Sequence, residues 1–322
     1  PPMSMFETFE AFADIDQLIE KLGDSDSAVR QIAVLELSES GDPTALPHLI
    51  GALRDPDAEV RLQAAKGLEE YDEPDAATAL AAALADDNTD VAEAAADSLS
   101  EFKNPDNAES LIPLAENESV FVRQSVLRGL KGLRNQMSLK TALSALSDAE
   151  EAVRVQAVGV VGYLKLDSAL PALMSATRDP ATQVRRSAVG ALAFAAPATV
   201  NDTLISAMSD EEWPVREVAA ETIGKIGLNT AGPTLIEAME DEYWQVRVKA
   251  ARSLGLIKTP TGVSALAGAL THDISNLRKE AAAALGEIAH ADALPHLEAV
   301  LDDPDPDVRK NVVWAIDRIK AA

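Results

Sequence analysis

Apolar residues recur along this chain at helical spacing, in short runs that polar turns separate. Residues 43–53 predict one helix, helix A, because their large aliphatic side chains follow steps of three and four: Leu46, Leu49, Ile50 and Leu53. Asp55-Pro56 ends that helix, and Asp57 is placed to cap a second one, helix B. The buried side of helix B is predicted to carry Val60, Ala64, Ala65 and Leu68.

A Val-Arg pair near the start of helix B returns at a constant interval of 31 residues. The pairs are Val29-Arg30, Val60-Arg61, Val122-Arg123, Val153-Arg154, Val184-Arg185, Val215-Arg216, Val246-Arg247 and Val308-Arg309. Two more slots keep the interval with altered residues, because Ala92 follows Val91 and Leu277 precedes Arg278. Ten units without an insertion are the signature of a stacked array. We therefore predict an all-α solenoid of ten two-helix repeats of 31 residues.

An acidic residue stands six positions before the repeated Arg slot in most units. The eight aspartates are Asp24, Asp55, Asp86, Asp148, Asp179, Asp210, Asp241 and Asp303, and Asn117 and His272 hold the slot in the other two units. Because a planar guanidinium can serve two turns, we expect each Arg to bridge the turn Asp of its own or the neighbouring repeat. Ala92 would then leave Asp86 without a partner, which predicts a soft joint within residues 74–104.

The repeated pattern L-x-D-P-x-x-x-V-R-x-x-A-A-x-x-L-G resembles HEAT repeats, and more narrowly the short HEAT-like repeats named after phycobilisome lyases. The resemblance covers residues 12–320. It implies a right-handed α-α superhelix whose B helices line the concave side. We expect one domain over residues 1–322, in which residues 3–13, with Phe6, Phe9 and Phe12, cap the first repeat.

The outward positions of helix B are not constrained by core packing, so a binding site is expected among them. At the centre of the array these positions become apolar or small: Val155, Gly159, Tyr163, Gly190 and Phe194. With Arg128 and Arg186 at its border, this stretch predicts an apolar hollow in a charged groove, which is typical of a binding site. The alternative is that Tyr163 and Phe194 fold back to close a gap between repeats.

A second candidate is the aromatic group Trp213, Tyr243 and Trp244. Trp213 and Trp244 hold the same slot in adjacent repeats, so they should stand about 10 Å apart on the ridge of the A–B turns. Exposed tryptophan pairs are typical of binding hot spots. The alternative is that these large side chains simply pack one repeat against the next.

Charge and composition narrow the functional classes. A net charge of −25 argues against a nucleic-acid groove and against binding to anionic membranes, and it permits a basic partner. The chain has no Cys and four His, and it lacks phosphate loops, catalytic triads and metal-ligand spacings. We therefore expect no catalytic residues, metal or cofactor. The start of the chain has no secretory signal, and a cytoplasmic protein is expected.

These features predict a non-enzymatic scaffold or adaptor that holds a protein or peptide in its concave groove. One alternative is a phycobilin-lyase-like subunit that binds an open-chain tetrapyrrole, with Arg128 and Arg186 meeting its propionates. Another is a chaperone or maturation factor for a cofactor enzyme. The sequence does not separate this third function from the scaffold.

Overall fold

The computed structural model describes residues 15–322, and the segment expected to cap the first repeat, residues 3–13, lies outside them. The described residues form α-helices and short 3₁₀ turns, with no strand among them, and the helices alternate as A and B partners. The A helices are α1 (Ile15–Lys21), α3 (Leu46–Ala52), α5 (Pro74–Ala83), α7 (Ala108–Leu111), α9 (Ser138–Ala145), α11 (Leu170–Ala176), α13 (Pro197–Ala207), α15 (Gly232–Ala238), α17 (Val263–Ala269) and α19 (Leu294–Glu298). The B helices are α2 (Ser27–Glu39), α4 (Ala58–Gly67), α6 (Thr89–Glu101), α8 (Val120–Leu133), α10 (Glu151–Leu164), α12 (Thr182–Ala191), α14 (Trp213–Ile226), α16 (Trp244–Leu256), α18 (Ser275–Ile288) and α20 (Pro306–Lys320).

The chain forms two compact units, one up to Val160 and one from Val161 onward. Within the first unit, α2 packs on α4, α4 on α6 and α6 on α8. Within the second, α12 packs on α14, α14 on α16, α16 on α18 and α18 on α20. Each unit is therefore a stack of helix pairs in which successive B helices are neighbours, and the predicted all-α class with ten two-helix repeats is confirmed.

The local signals in the second repeat act as predicted, with one refinement. Asp57 caps α4, since its side chain accepts a hydrogen bond from the backbone N–H of Glu59 at 2.9 Å. Helix A does not run unbroken over residues 43–53, because a 3₁₀ turn from Pro43 to Ala45 precedes α3. Pro47 lacks the N–H that an α-helix would donate to Pro43, so the first turn winds more tightly.

The apolar face of helix B lies in the core. Val60, Ala64, Ala65 and Leu68 are at most 1% exposed. The same slots are buried in the later B helices of the second unit, where Val215, Ala219 and Ala220 are fully inaccessible. The hydrophobic pattern therefore identified the core without tertiary information.

Small residues allow neighbouring B helices of the second unit to approach closely. A Cβ added to Gly255 would lie 2.8 Å from the Ala284 Cα, and one added to Gly224 would lie 2.8 Å from the Ser253 Cβ. A Cβ added to Gly286 would lie 2.9 Å from the Ala315 Cα. Such distances leave no room for a side chain at these glycines.

The predicted Arg–Asp ladder exists, and its geometry uses both neighbouring turns. In the second unit, Nε and Nη2 of Arg185 donate to both carboxylate oxygens of Asp210, in the next repeat, at 2.8 and 3.0 Å. Nη1 turns back to its own repeat and donates to the carbonyl oxygens of Asp179 and Pro180. Pairs with this bidentate geometry include Arg30–Asp55, Arg61–Asp86, Arg123–Asp148, Arg185–Asp210, Arg216–Asp241 and Arg278–Asp303.

The expectation that Ala92 leaves Asp86 unpaired is wrong. Asp86 is bound by Arg61 of the preceding repeat, because the Arg61 fork reaches forward 25 residues to the next turn. The residue that Ala92 would have served is Asn117, so the missing cation coincides with a missing carboxylate. Near this step, Asp72 accepts hydrogen bonds from the backbone N–H groups of Lys103 and Asn104 at 2.7 and 2.9 Å. The soft joint within residues 74–104 stays a prediction.

The ladder makes stability depend on pH in acid. Hydrogen bonds from Arg278 lower the pKa of Asp303, against burial, which raises it. The pKa of an unfolded Asp is about 3.9, so this stabilisation is complete above that pH and is lost as the pH falls through the lower pKa of the folded state. We expect the urea midpoint to fall steeply below about pH 4, and to fall less steeply in the Asp303→Asn variant. Equal acid dependence of the two proteins would contradict this assignment.

Candidate functional site

The three aromatic residues predicted to form a ridge lie together at adjacent A–B turns of the second unit. Trp213 begins α14 and Trp244 begins α16, with Tyr243 immediately before it. The rings of Trp213 and Tyr243 stack across the two repeats, with centroids 5.5 Å apart and planes inclined by 18°. We call Trp213, Tyr243 and Trp244 the aromatic surface.

The ladder holds the Tyr243 ring in place. The carboxylate of Asp241 accepts hydrogen bonds from Nε and Nη2 of Arg216. Its Oδ1 also accepts a hydrogen bond from the backbone N–H of Tyr243 at 2.9 Å. The guanidinium carbon of Arg216 lies 5.8 Å from the centre of the Tyr243 ring, within the range of a cation–π contact. Burial of Asp241 raises its pKa, but the bonds from Arg216 and from the Tyr243 backbone outweigh it and keep the pKa below its ordinary value.

The aromatic surface is only partly covered by the rest of the protein. Tyr243 is 38% exposed and Trp244 is 39% exposed, whereas Trp213 is half-buried. Trp213 stacks on Tyr243, and the expected spacing between Trp213 and Trp244 stays a prediction. Tyr243 precedes helix α16 in extended backbone, and its backbone N–H donates to Asp241.

Acidic side chains surround the aromatic surface along the chain. Glu211 and Glu212 precede Trp213, Glu240 and Glu242 flank Asp241, and all four glutamates are exposed. Glu211 lies 3.8 Å from Arg185 but keeps 84% of its side chain in solvent. Apolar rings within an acidic surrounding attract cationic groups, because the ring faces and the carboxylates both favour positive charge.

The groove residues of the first unit have partners that the sequence did not reveal. Nη2 of Arg128 lies 2.5 Å from Oδ1 of Asp97, so this cation already forms an ion pair with the neighbouring B helix. A Cβ on Gly159 would lie 2.9 Å from Cδ of Lys131. The aliphatic part of the Lys131 side chain therefore lies next to Gly159. Val155 is half-buried.

The groove residues of the second unit are more accessible. Tyr163 is 50% exposed, Arg186 is exposed, and Phe194 is half-buried at the end of a 3₁₀ turn. A Cβ on Gly190 would lie 3.3 Å from Cγ1 of Val218, so this glycine also adjoins a neighbouring side chain. That these residues act together as one hollow stays a prediction, as does the tetrapyrrole alternative that would use Arg128 and Arg186.

Comparison with known protein families identifies the kind of repeat in this chain. A sequence model of HEAT repeats matches five overlapping stretches: residues 15–100, 50–131, 108–193, 170–244 and 232–317. The chain belongs to the HEAT-repeat family. The match does not confirm the narrower resemblance to the short repeats named after phycobilisome lyases. Among curated proteins, no sequence matches this HEAT-repeat chain.

Several solved structures share the HEAT-repeat fold. The YibA protein of Escherichia coli is 20% identical with a TM-score of 0.63, and the match covers 84% of this chain and 99% of that one. Importin beta is 16% identical with a TM-score of 0.63 over 95% of this chain and 50% of that one. Kap95p in a structure with RanGDP is also 16% identical, with a TM-score of 0.64 over 96% of this chain and 50% of that one. The chain thus spans half the length of the importin-type chains.

Metal-binding clusters and membrane-spanning helices were looked for among the described HEAT repeats. Within residues 15–322, no cluster of three or more His, Cys, Asp or Glu side chains could hold a metal ion. In the same range, none of the helices combines the length and apolar character needed to cross a membrane.

Sequence analysis had missed the part of Arg216 and Asp241 in fixing the aromatic surface. The constant spacing of 25 residues between an Arg and the Asp of the next turn would have revealed it.

Proposed function

We propose that this HEAT-repeat protein is a non-enzymatic interaction scaffold whose aromatic surface binds a basic segment of a partner protein. The observation that carries the proposal is the Trp213–Tyr243 stack next to Trp244, in which Tyr243 and Trp244 are exposed and four exposed glutamates lie close in sequence. Aromatic side chains in a fixed arrangement contribute large contact area at low entropic cost, and they dominate binding energy at protein interfaces. An Arg or Lys of the partner would stack on Trp244 or Tyr243 and meet Glu240 or Glu242.

The overall charge favours a basic partner over an acidic one. The chain carries 53 acidic and 28 basic residues, so an approaching cationic segment gains from long-range attraction before contact. The fold supports a protein as the partner, without regard to its charge. The similar importin-type structures include Kap95p with RanGDP and a Kap95–Nup1 complex, in which a HEAT-type solenoid associates with another protein.

The proposal is tested with a fluorescent peptide of alternating Arg and Ser, read by anisotropy, against a Glu–Ser peptide of equal length. We expect the Arg peptide to bind and the Glu peptide not to bind. Trp244→Ala should weaken binding of the Arg peptide by roughly tenfold or more, because it removes an exposed ring that stacks on the guanidinium.

Trp314→Ala is the matched control, since Trp314 is 40% exposed and lies outside the aromatic surface. It should bind the peptide as the unsubstituted protein does, and circular dichroism should show both variants fully helical. Equal affinity of the Trp244→Ala and Trp314→Ala variants would overturn the assignment, because binding would then depend on diffuse acidity alone.

The predicted groove of the second unit is proposed as a further contact for the same partner. Tyr163 and Phe194 remain partly accessible and Arg186 is exposed. Phe194→Asp should weaken peptide binding while the protein stays helical. Unchanged affinity would confine the site to the aromatic surface.

A further inference from the structure

One step of the Arg–Asp ladder in the second unit lacks its carboxylate. The complete forks reach forward 25 residues to the next turn, and the same interval leads from Arg247 to His272. The complete pairs on either side of this step are Arg216–Asp241 and Arg278–Asp303. The gap is therefore confined to the step between α16 and α18.

His272 performs only half of what a turn aspartate does. Its Nδ1 accepts a hydrogen bond from the backbone N–H of Ile274 at 3.0 Å, as Oδ1 of Asp241 does from that of Tyr243 at 2.9 Å. An uncharged imidazole that accepts at Nδ1 carries its proton on Nε2. The ring therefore holds the turn, but its other nitrogen is a donor and cannot accept a hydrogen bond from an arginine.

The guanidinium of Arg247 is turned differently from those of the complete steps. In the neighbouring step, Nη1 of Arg216 donates to the carbonyl oxygen of Asp210 in its own repeat, which leaves Nε and Nη2 for the next turn. In Arg247 it is Nε that donates to the carbonyl oxygen of Asp241. Among residues 15–322, Nη1 and Nη2 of this half-buried arginine have no hydrogen-bond or ion-pair partner. The step therefore presents donors where the complete steps present a carboxylate.

The cleft beside Arg247 is lined by a smaller residue than an equivalent cleft of the same unit. At the Arg185–Asp210 step, the cleft between the repeats has a volume of about 250 Å³, and Ser206 is one of its lining residues. The slot of Ser206 is occupied by Gly268 at the step of Arg247, and an added Cβ there would have no atom within 4 Å. The absent side chain leaves space for an incoming carboxylate.

Arg247 also lies next to the aromatic surface. It follows Trp244 by three residues on α16, so the two side chains project from the same side of the helix. Glu240, Glu242 and Asp273 are exposed and close in sequence, and they repel a free anion. A carboxylate therefore gains most when it is part of a segment whose basic residues already bind the aromatic surface.

We infer that the partner segment combines its basic residues with an acidic one, and that an aspartate of the partner binds Arg247 in place of the missing turn aspartate. The inference rests on the proposed function, because the aromatic surface must first hold the segment. The internal pairs show what such a contact looks like: Nε and Nη2 of Arg216 donate to the two carboxylate oxygens of Asp241 at 2.8 and 3.0 Å. A partner of this kind differs from a purely basic one.

The test compares two series of fluorescent peptides with the full chain, read by anisotropy. Both series start from the alternating Arg–Ser peptide, and one Ser at a time is replaced by Asp in the first series and by Asn in the second. At one position we expect the Asp peptide to bind about threefold to fivefold more tightly than the Asn peptide, as for a partly exposed ion pair. Diffuse charge acts in the opposite direction, because a protein with a charge of −25 disfavours an added carboxylate.

Two substitutions should remove the preference for Asp. Arg247→Gln removes the donors, and His272→Asp supplies an internal carboxylate that occupies them. His272→Asp should also raise the urea midpoint of the protein without any peptide, because it completes the ladder. Arg252→Gln is the matched control, since Arg252 is an exposed arginine of the same helix, and this variant should keep the preference.

Failure of this inference differs from failure of the proposed function. If the Arg–Ser peptide binds but Asp is never preferred over Asn, this inference is wrong and the proposed function stands. If no peptide binds, both are wrong. A preference that the Arg247→Gln variant retains would place the carboxylate on another residue. A urea midpoint that His272→Asp leaves unchanged or lowers would show that Arg247 does not face that turn, and either result overturns the inference.

Discussion

Replacing Asp210 by Asn is expected to lower the free energy of unfolding by about 2–3 kcal/mol. Arg185 and Asp210 keep only 10% and 11% of their side chains in solvent, and the bidentate pair joins two repeats of the second unit. Asn retains the oxygen that accepts the backbone N–H of Glu212, so the turn itself is preserved. What is lost is the negative charge opposite a largely buried guanidinium. Urea unfolding followed by circular dichroism at neutral pH measures the change.

The control for Asp210→Asn is a second carboxylate near the same arginine. Glu211 lies 3.8 Å from Nη2 of Arg185, but its side chain is 84% exposed. Exposed ion pairs contribute at most about 1 kcal/mol, so Glu211→Gln should change stability by less than about 0.5 kcal/mol. If the two variants unfolded at the same urea concentration, the Arg185–Asp210 pair would contribute no more to stability than an exposed ion pair does.

Adding one methyl group at Gly255 is expected to destabilise the protein by about 1–3 kcal/mol. The new Cβ would lie 2.8 Å from the Ala284 Cα and 3.0 Å from its Cβ, both on the neighbouring helix α18. Because α16 and α18 are packed along their length, the helices must separate and lose contact with each other. Thermal unfolding of Gly255→Ala should show a clearly lower midpoint than the unsubstituted protein.

The same substitution at Gly268 should have the opposite sign. Gly268 lies within helix α17, is exposed, and has no atom within 4 Å of an added Cβ. Alanine there removes the unfolded-state entropy of glycine and should stabilise the protein by about 0.4–1 kcal/mol. A loss of stability in both variants would show that helix propensity does not govern Gly268, and similar gains in both would disprove the close packing at Gly255.

Much of the candidate site could be anticipated, but its geometry could not. The slot shared by Trp213 and Trp244 placed both at A–B turns, because a constant period puts equal slots in equal positions. The stack between Trp213 and Tyr243 depends on the backbone just before α16 and on the bond from Tyr243 to Asp241. Likewise, helix periodicity placed Gly159 on the outward face but did not reveal that Lys131 of the preceding B helix lies over it.

The sequence by itself determined the repeat, the alternation of A and B helices and the buried face of each B helix. These follow from spacing along one helix, where 3.6 residues per turn assign each side chain to a face. It also showed that arginine and aspartate pair, but not which of two turns supplies the carboxylate. Only the tertiary structure decided that Arg61 reaches forward to Asp86 and that Gly255 touches α18. Such contacts depend on the offset between neighbouring helices, and that offset is set by how the side chains of both helices interlock.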